Sequence, residues 1–330
     1  MQNKYADAVK VLKEGKRFIV ISHLNPEGDA IGSLLGLVLA LRAEGKEAVA
    51  YLEDDLPDMF GFLPGSDTIV HSLDGEVAFD ATFAVDCGQK ERLGKGFNAF
   101  SGCGTLVNID HHVTNDSFGE INVIDGSASS AGEMVYDFIK AADIDIDKRI
   151  ATNLYVAIHT DTGSFRYSSS TSGAFMKAGD LVACGADPWE VSTHVYENLP
   201  FKRFILLGRV LSTMKLVEHD GVKVAMLLVT DEMLKETGAT RELSDGFVNY
   251  ARSVEGVEVG MLFKESDTNG DPYKVSFRSK GKVDVAAIAA RFKGGGHKNA
   301  AGCTIDGTLE EIKARVFEAL KEQIALTEGL

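Results

Sequence analysis

The chain has 330 residues, 45% of them hydrophobic and 25% charged, and a formal net charge of −15. It is longer than one hydrophobic core usually serves, so two domains are expected, and its composition is that of an ordinary globular protein. The acidity excludes a protein that coats long nucleic acid, which needs a broad basic surface.

The longest apolar run, residues 30–41, is too short to span a bilayer. Cys87, Cys103, Cys184 and Cys303 are scattered without a CxxC spacing, which argues against a thiolate zinc site or a disulfide framework. The N-terminus carries no signal-peptide pattern, so the cytoplasm is the expected compartment and no membrane partner is expected.

In chain order, residues 4–14 read as an amphipathic helix and 17–22 as a strand that runs into His23. The loop His23-Leu24-Asn25-Pro26-Glu27-Gly28-Asp29 follows, since Pro26 cannot continue a central strand. Residues 30–44 read as a helix. Its small residues Gly32, Ser33 and Gly36 suit close packing on a sheet, and Gly45 is its C-cap. Strands are expected at 47–52, 68–71, 81–86, 105–110 and 121–124. Helices are expected at 130–142, 148–159, 172–184 and 188–197, with a loop at 161–167. This alternation predicts a doubly wound, mainly parallel sheet.

A helix at 201–215 leads to something different. Strands crowd together at 222–229, 257–264 and 273–279, with a turn at Asn269-Gly270-Asp271-Pro272. A helix at 283–292 runs into Gly294-Gly295-Gly296-His297, and 309–326 is a closing helix. The reading is an α/β chain: a sheet domain over 1–196, a linker helix over 197–216, and a smaller α+β domain over 217–330. Residues 264–298 are locally basic, which suits a small anionic ligand, although an ordinary solvated face accounts for most of those lysines.

The chemistry gathers at strand ends. Leu106-Val107-Asn108-Ile109 reads as a buried parallel strand and stops at Asp110-His111-His112. Phe83-Ala84-Val85 stops at Asp86, and Val156-Ala157-Ile158 leads to His159 and Asp161. Ligands of open α/β sheets bind beyond the carboxyl ends of strands. His23, Glu27, Asp29, Asp86, His111 and Asp161 therefore form a candidate ligand set. Carboxylate and imidazole without thiolate favour Mn²⁺, with Mg²⁺, Fe²⁺ or Co²⁺ as substitutes. Six groups are more than one open ion uses. Two ions, roughly 3.5–4 Å apart, lower the pKa of a shared water and clamp a phosphoryl group. Hydrolysis of a phosphate ester is the chemistry implied.

The pattern resembles the DHH phosphoesterase superfamily, named for the triplet that stands here as Asp110-His111-His112. Four motifs occur in order: His23-Leu24-Asn25-Pro26-Glu27-Gly28-Asp29-Ala30, Val85-Asp86-Cys87, the triplet, and Thr160-Asp161-Thr162-Gly163. Gly294-Gly295-Gly296-His297 looks like the signature of the DHH-associated C-terminal domain. The resemblance implies one metal on His23, residue 27 and Asp86, and another on Asp29, Asp86, His111 and Asp161, with Asp86 bridging. It makes Asp110 the group that orients an imidazole, and His112 a phosphate contact that aids the leaving oxygen. The family's usual Asp at position 27 is Glu27 here, one methylene longer.

For the substrate end, the resemblance assigns Arg278, Gly295, Gly296 and His297, with Ser279 beside them, to a second phosphate or the nucleotide. The glycine run would let backbone N–H groups approach the anion. Arg166 is a further candidate phosphate contact, and Tyr273 or Phe277 a candidate base stack. The two-domain architecture is similar to enzymes that degrade short oligoribonucleotides and dephosphorylate 3′-phosphoadenosine 5′-phosphate (pAp). The expected partners are such oligoribonucleotides, dinucleotides and pAp, and a homodimer is left open. The competing readings are a soluble phosphodiesterase for linear or cyclic dinucleotides, a manganese pyrophosphatase, and a non-catalytic nucleotide-binding regulator.

Overall fold

The structure, a computed structural model, describes residues 4–328 apart from 74, 76 and 266–271. Asn269, Gly270 and Asp271 of the expected turn lie outside the described residues. Two compact units divide the chain, Met1–Asn198 and Leu199–Leu330.

In the first unit, strands β1 (Arg17–Ile21), β2 (Glu47–Tyr51), β3 (Ile69–Val70), β4 (Ala81–Val85), β5 (Thr105–Asp110) and β6 (Ile121–Ile124) form one sheet in the order β3-β2-β1-β4-β5-β6. Every pairing in it is parallel, with Val20 level with Ala50 on one side and Phe83 on the other. The expected parallel sheet is therefore present. Its helices are α1 (Ala6–Glu14), α2 (Gly28–Ala43), α3 (Lys95–Ala99), α4 (Ala131–Ala141), α5 (Lys148–Asp161), α6 (Ser172–Ala183) and α7 (Pro188–Ser192).

Alternation along β1 sends Phe18 and Val20 into the core beneath α1, α2, α4 and α5, and Ile19 and Ile21 into a smaller cluster with Leu93 and Phe97. Helix α2 is buried from Gly28 through Leu41, which is why it is apolar all round. Gly32 and Gly36 do not meet the sheet, as the sequence suggested, but α5. A Cβ on Gly32 would stand 2.4 Å from Asn153 O, and one on Gly36 2.7 Å from Leu154 Cδ2. Side-chain caps start the neighbours. Ser130 accepts from Glu133 N for α4, and Asp147 accepts from Arg149 N and Ile150 N for α5.

In the second unit, β7 (Lys215–His219), β8 (Val222–Val229), β9 (Val259–Glu265), β10 (Tyr273–Ser279), β11 (Gly295–His297) and β12 (Ala300–Ile305) form a sheet in the order β11-β12-β10-β9-β8-β7. Only β8 and β9 run parallel among these pairs. Helices α8 (Phe201–Leu211), α9 (Asp231–Thr237) and α10 (Val248–Ser253) cover one face, and α11 (Val285–Ala290) and α12 (Leu309–Glu328) the other.

Helix α8 stops four residues short of expectation, because Lys215 already pairs with Met226 in β7. The glycine run forms the edge strand β11. Gly294 and Gly296 are glycines for steric reasons, since an added Cβ would stand 2.2 Å from Gly302 O and 2.4 Å from Ala300 O, respectively. Among the described residues no helix is long and apolar enough to cross a membrane.

Candidate metal centre

In the order 3-2-1-4-5-6 the chain reverses direction across the sheet between β1 and β4, the place where open α/β sheets form a ligand crevice beyond the strand ends. Strand β1 delivers His23, the start of α2 delivers Asp29, β4 delivers Asp86, and β5 delivers Asp110, His111 and His112. Asp161 closes α5. Asp86 has φ 55°, a left-handed conformation that a short polar side chain tolerates and that turns the chain sharply out of β4.

Asp86 stands between two imidazoles. His23 Nε2 lies 3.6 Å from its Oδ2, and His111 Nε2 lies 3.4 Å from its Oδ1. His111 Nε2 is also 3.6 Å from Asp29 Oδ2 and 3.8 Å from Asp161 Oδ2. Asp29, Asp86 and His111 each offer a ligand atom within 4.8 Å of the others, and all three are buried. Glu27 N-caps α2 without a side-chain cap bond, and it is exposed. It lies outside that tight group, although its charge acts on Asp161.

Asp110 is fully buried and meets His112 Nδ1 at 2.7 Å through Oδ1, while Asn115 donates to its Oδ2. Arg166 is exposed, and its Nε donates to Gly163 O at 2.7 Å. His159, left out of the ligand set, is a packed histidine among Tyr155, Phe165 and Tyr196. Burial, helped by Arg166, pushes it down to about 4.

Charge is the dominant fact of the crevice. Burial and the Asp86 carboxylate push the Asp29 carboxyl well above the usual range. Against burial, the imidazoles of His111 and His23 hold Asp86 well below it. Also against burial, Asp86 with Asp161 and Asp29 raise His111 well above the usual imidazole range. Burial, resisted by His111 and helped by Asp86 and Glu27, pushes Asp161 up to about 7. The cluster thus demands positive charge and takes protons where it has nothing else. A divalent cation meets the same demand by displacing them.

The donor set fits such a cation. Asp86 Oδ1 is buried and forms no well-aligned hydrogen bond among the described residues. The one nearby thiol, Cys87, is pushed up to about 12 by burial, so no thiolate competes.

Residues that sequence reasoning missed hold this arrangement in place. Ser33 Oγ donates to Asp29 Oδ1 at 3.0 Å, and Ala131 N and Gly132 N at the start of α4 donate to Oδ2 and Oδ1 at 2.7 and 2.9 Å. Ser33 is four residues from Asp29 on one helix face, a spacing that would have revealed it. The α4 amides are more than a hundred residues away and left no local signal. Asn115 also donates to Asn108 Oδ1 at 2.8 Å, tying Asp110 to the strand that carries it.

In the second unit Arg278 and His297 sit on β10 and β11 and are half-buried, while Gly295 is exposed with open space where a Cβ would stand. Arg278 donates to Phe277 O at 2.9 Å. Ser279 is buried, donates to Val283 O at 2.7 Å and accepts from Gly281 N at 2.9 Å, so its hydroxyl holds a turn. Phe277 is core and cannot stack a base, and the Tyr273 hydroxyl donates to Glu265 at 3.2 Å.

A parallel sheet that gathers buried carboxylates and imidazoles beyond its strand ends is the framework of a metal-dependent phosphoesterase. The chain belongs to the DHH family. Residues 17–158 match the DHH family N-terminal domain, and residues 219–325 match the DHHA1 domain. It is 36% identical over 321 residues to a bifunctional oligoribonuclease and PAP phosphatase NrnA of Thermus thermophilus, covering 97% of this chain and 93% of that one. It is 28% identical to the protein of the same name in Bacillus subtilis, over 87% of this chain and 88% of that one. Among solved structures, an exopolyphosphatase-related protein from Bacteroides fragilis superposes with a TM-score of 0.89 at 28% identity, covering 99% of this chain and 98% of that one.

Proposed function

We propose that the chain is a phosphoesterase that hydrolyses short oligoribonucleotides to mononucleotides and pAp to AMP, with two Mn²⁺ ions as cofactor. The observation that carries this reading is Asp86, a buried carboxylate between His23 and His111 with one oxygen that forms no well-aligned hydrogen bond among the described residues. The names of the Thermus and Bacillus relatives supply the substrate classes.

In this reading His23, Glu27 and Asp86 would hold one ion, and Asp29, Asp86, His111 and Asp161 would hold the other. Bound there, the pair supplies Lewis-acid charge that eases ionisation of water and neutralises phosphoryl oxygens. The chain's own groups do the rest. Asp110 fixes His112 through Nδ1, which leaves Nε2 to carry the proton that moves to the leaving oxygen. Against burial, Asp110 and Asp86 raise the His112 pKa, which favours the protonated ring. Asp29, anchored by three donors, keeps its oxygens in place without moving during turnover. The first unit is the catalytic part in this reading. Arg278, Gly295, Gly296 and His297 are the second unit's candidate substrate contacts in this reading, and Arg166 is a candidate of the first.

The test is a parallel Mn²⁺ assay on pAp, the dinucleotide pApA, cyclic-di-AMP and a ten-nucleotide RNA, each repeated with a chelator. Chelator-sensitive turnover of pAp and pApA is expected. Turnover of cyclic-di-AMP alone would replace this reading with a cyclic-dinucleotide phosphodiesterase. No turnover of any of them would leave a nucleotide-binding protein.

A further inference from the structure

We infer that Arg92 is a phosphate-contact residue of the first unit's centre, beyond the ligands and substrate residues assigned above; the inference rests on the phosphoesterase reading. Arg92 belongs to a 3-10 turn, Lys90–Leu93, on the segment that leaves β4 after Asp86. That segment passes over the triplet, since a Cβ on Gly88 would stand 3.6 Å from both Asp110 Oδ2 and His112 Cβ. It then meets the loop after β1, where Leu24 N donates to Arg92 O at 2.7 Å. The backbone is thereby pinned, and the guanidinium NH2 comes to rest 3.1 Å from His23 Nδ1.

His23 Nδ1 has a second neighbour, Leu24 O, at 2.8 Å. One ring nitrogen cannot serve both, because it must donate to the carbonyl and accept from the guanidinium. The tautomer that can ligate a cation through Nε2 carries its proton on Nδ1, and it donates that proton to the Leu24 carbonyl. Nε2 is the nitrogen that faces Asp86, at 3.6 Å. In that tautomer Arg92 is left with an N–H that has no acceptor on His23. No ion pair to a carboxylate engages its side chain among the described residues, and the side chain is exposed. A planar fork of donors, pinned at the rim of a cation site and denied its nearest acceptor, matches the oxygens of a phosphoryl group.

The test uses the full chain with Arg92→Gln and Arg92→Lys. The exposed position leaves the fold intact, which a thermal melt checks. Calorimetry first measures Mn²⁺ binding, and then inorganic phosphate is titrated into the loaded protein. For Arg92→Gln, Mn²⁺ affinity within about twofold of the parent and phosphate affinity lower by roughly 10- to 100-fold are expected, the loss of one charged hydrogen bond. Arg92→Lys should fall between, since it keeps the charge and loses the fork. Unchanged phosphate affinity overturns the inference. So does a loss of Mn²⁺ affinity that accounts for the phosphate loss, which would make Arg92 a support for His23 alone. If the parent chain with Mn²⁺ binds phosphate but hydrolyses no phosphoester, the functional reading fails and the Arg92 contact stands by itself.

Discussion

Asp86 shows how much one side chain carries. It sits at the end of a buried strand in a left-handed conformation, and its two oxygens face different imidazoles. Asp86→Ala is expected to abolish pAp turnover and to weaken binding of both ions, with phosphate release and Mn²⁺ calorimetry as the measurements. Near-normal activity would refute the bridging role. The sequence made this residue legible because a hydrophobic run stops abruptly at a carboxylate, and a buried charge demands a partner. It did not make Asn115 legible. An asparagine in a polar loop looks like any turn residue until the fold brings it back to Asp110. Nor does a serine after an arginine give any hint that its hydroxyl bonds Val283 and Gly281.

At the scale of elements, α4 and α6 are tied by Lys177, which reaches Glu133 Oε1 at 2.9 Å and Asp137 Oδ2 at 2.7 Å. Against burial, Ser129 and Lys177 hold the Glu133 carboxyl below its ordinary 4.5, and, also against burial, Asp137 and Glu133 hold Lys177 above its ordinary 10.5. The cluster's contribution is thus fully present between those values. It is lost as pH falls through the lowered Glu133 value or rises through the raised Lys177 value. Lys177→Met should cost about 2 kcal/mol at neutral pH, because it strands a largely buried carboxylate in a partly hydrated site. The deficit should shrink in acid, as denaturant melts at pH 7 and pH 3.5 would show; an equal deficit at both would mean that packing alone was lost. The α2–α5 contact makes a sharper case. Gly32→Ala drives a methyl group against the carbonyl oxygen of Asn153, so a loss of about 1–3 kcal/mol is expected by urea unfolding. The sequence signalled close packing at Gly32 and Gly36 but not the partner, because small residues announce proximity and not identity.

For the whole molecule, the strongly periodic first half was read nearly element by element, since parallel strands buried on both faces leave long apolar runs. The second half was harder. Strand β7 is an exposed edge that carries little hydrophobic signal, and β11 is glycine-rich, a composition that reads as a turn when it is in fact a steric requirement. The net charge of −15 spread over the chain, with basic residues gathered near residues 264–298, still fits a short anionic substrate better than a long polymer. Arg278→Ala is expected to raise KM for pAp while sparing hydrolysis of a generic aryl phosphodiester, and equal losses on both would remove Arg278 from substrate binding.

The close fit of α2 to α5 also has a chemical meaning. The two run antiparallel, with Gly28 against Thr160, Gly32 against Asn153 and Ala157, and Gly36 against Leu154. Asp29 lies in the first turn of one helix, and the other ends at Asp161. The gauge between these two proposed ligands is therefore cut into a helix seam made of missing side chains. A cation of different radius could be favoured by shimming that seam, without altering any residue that touches the ion.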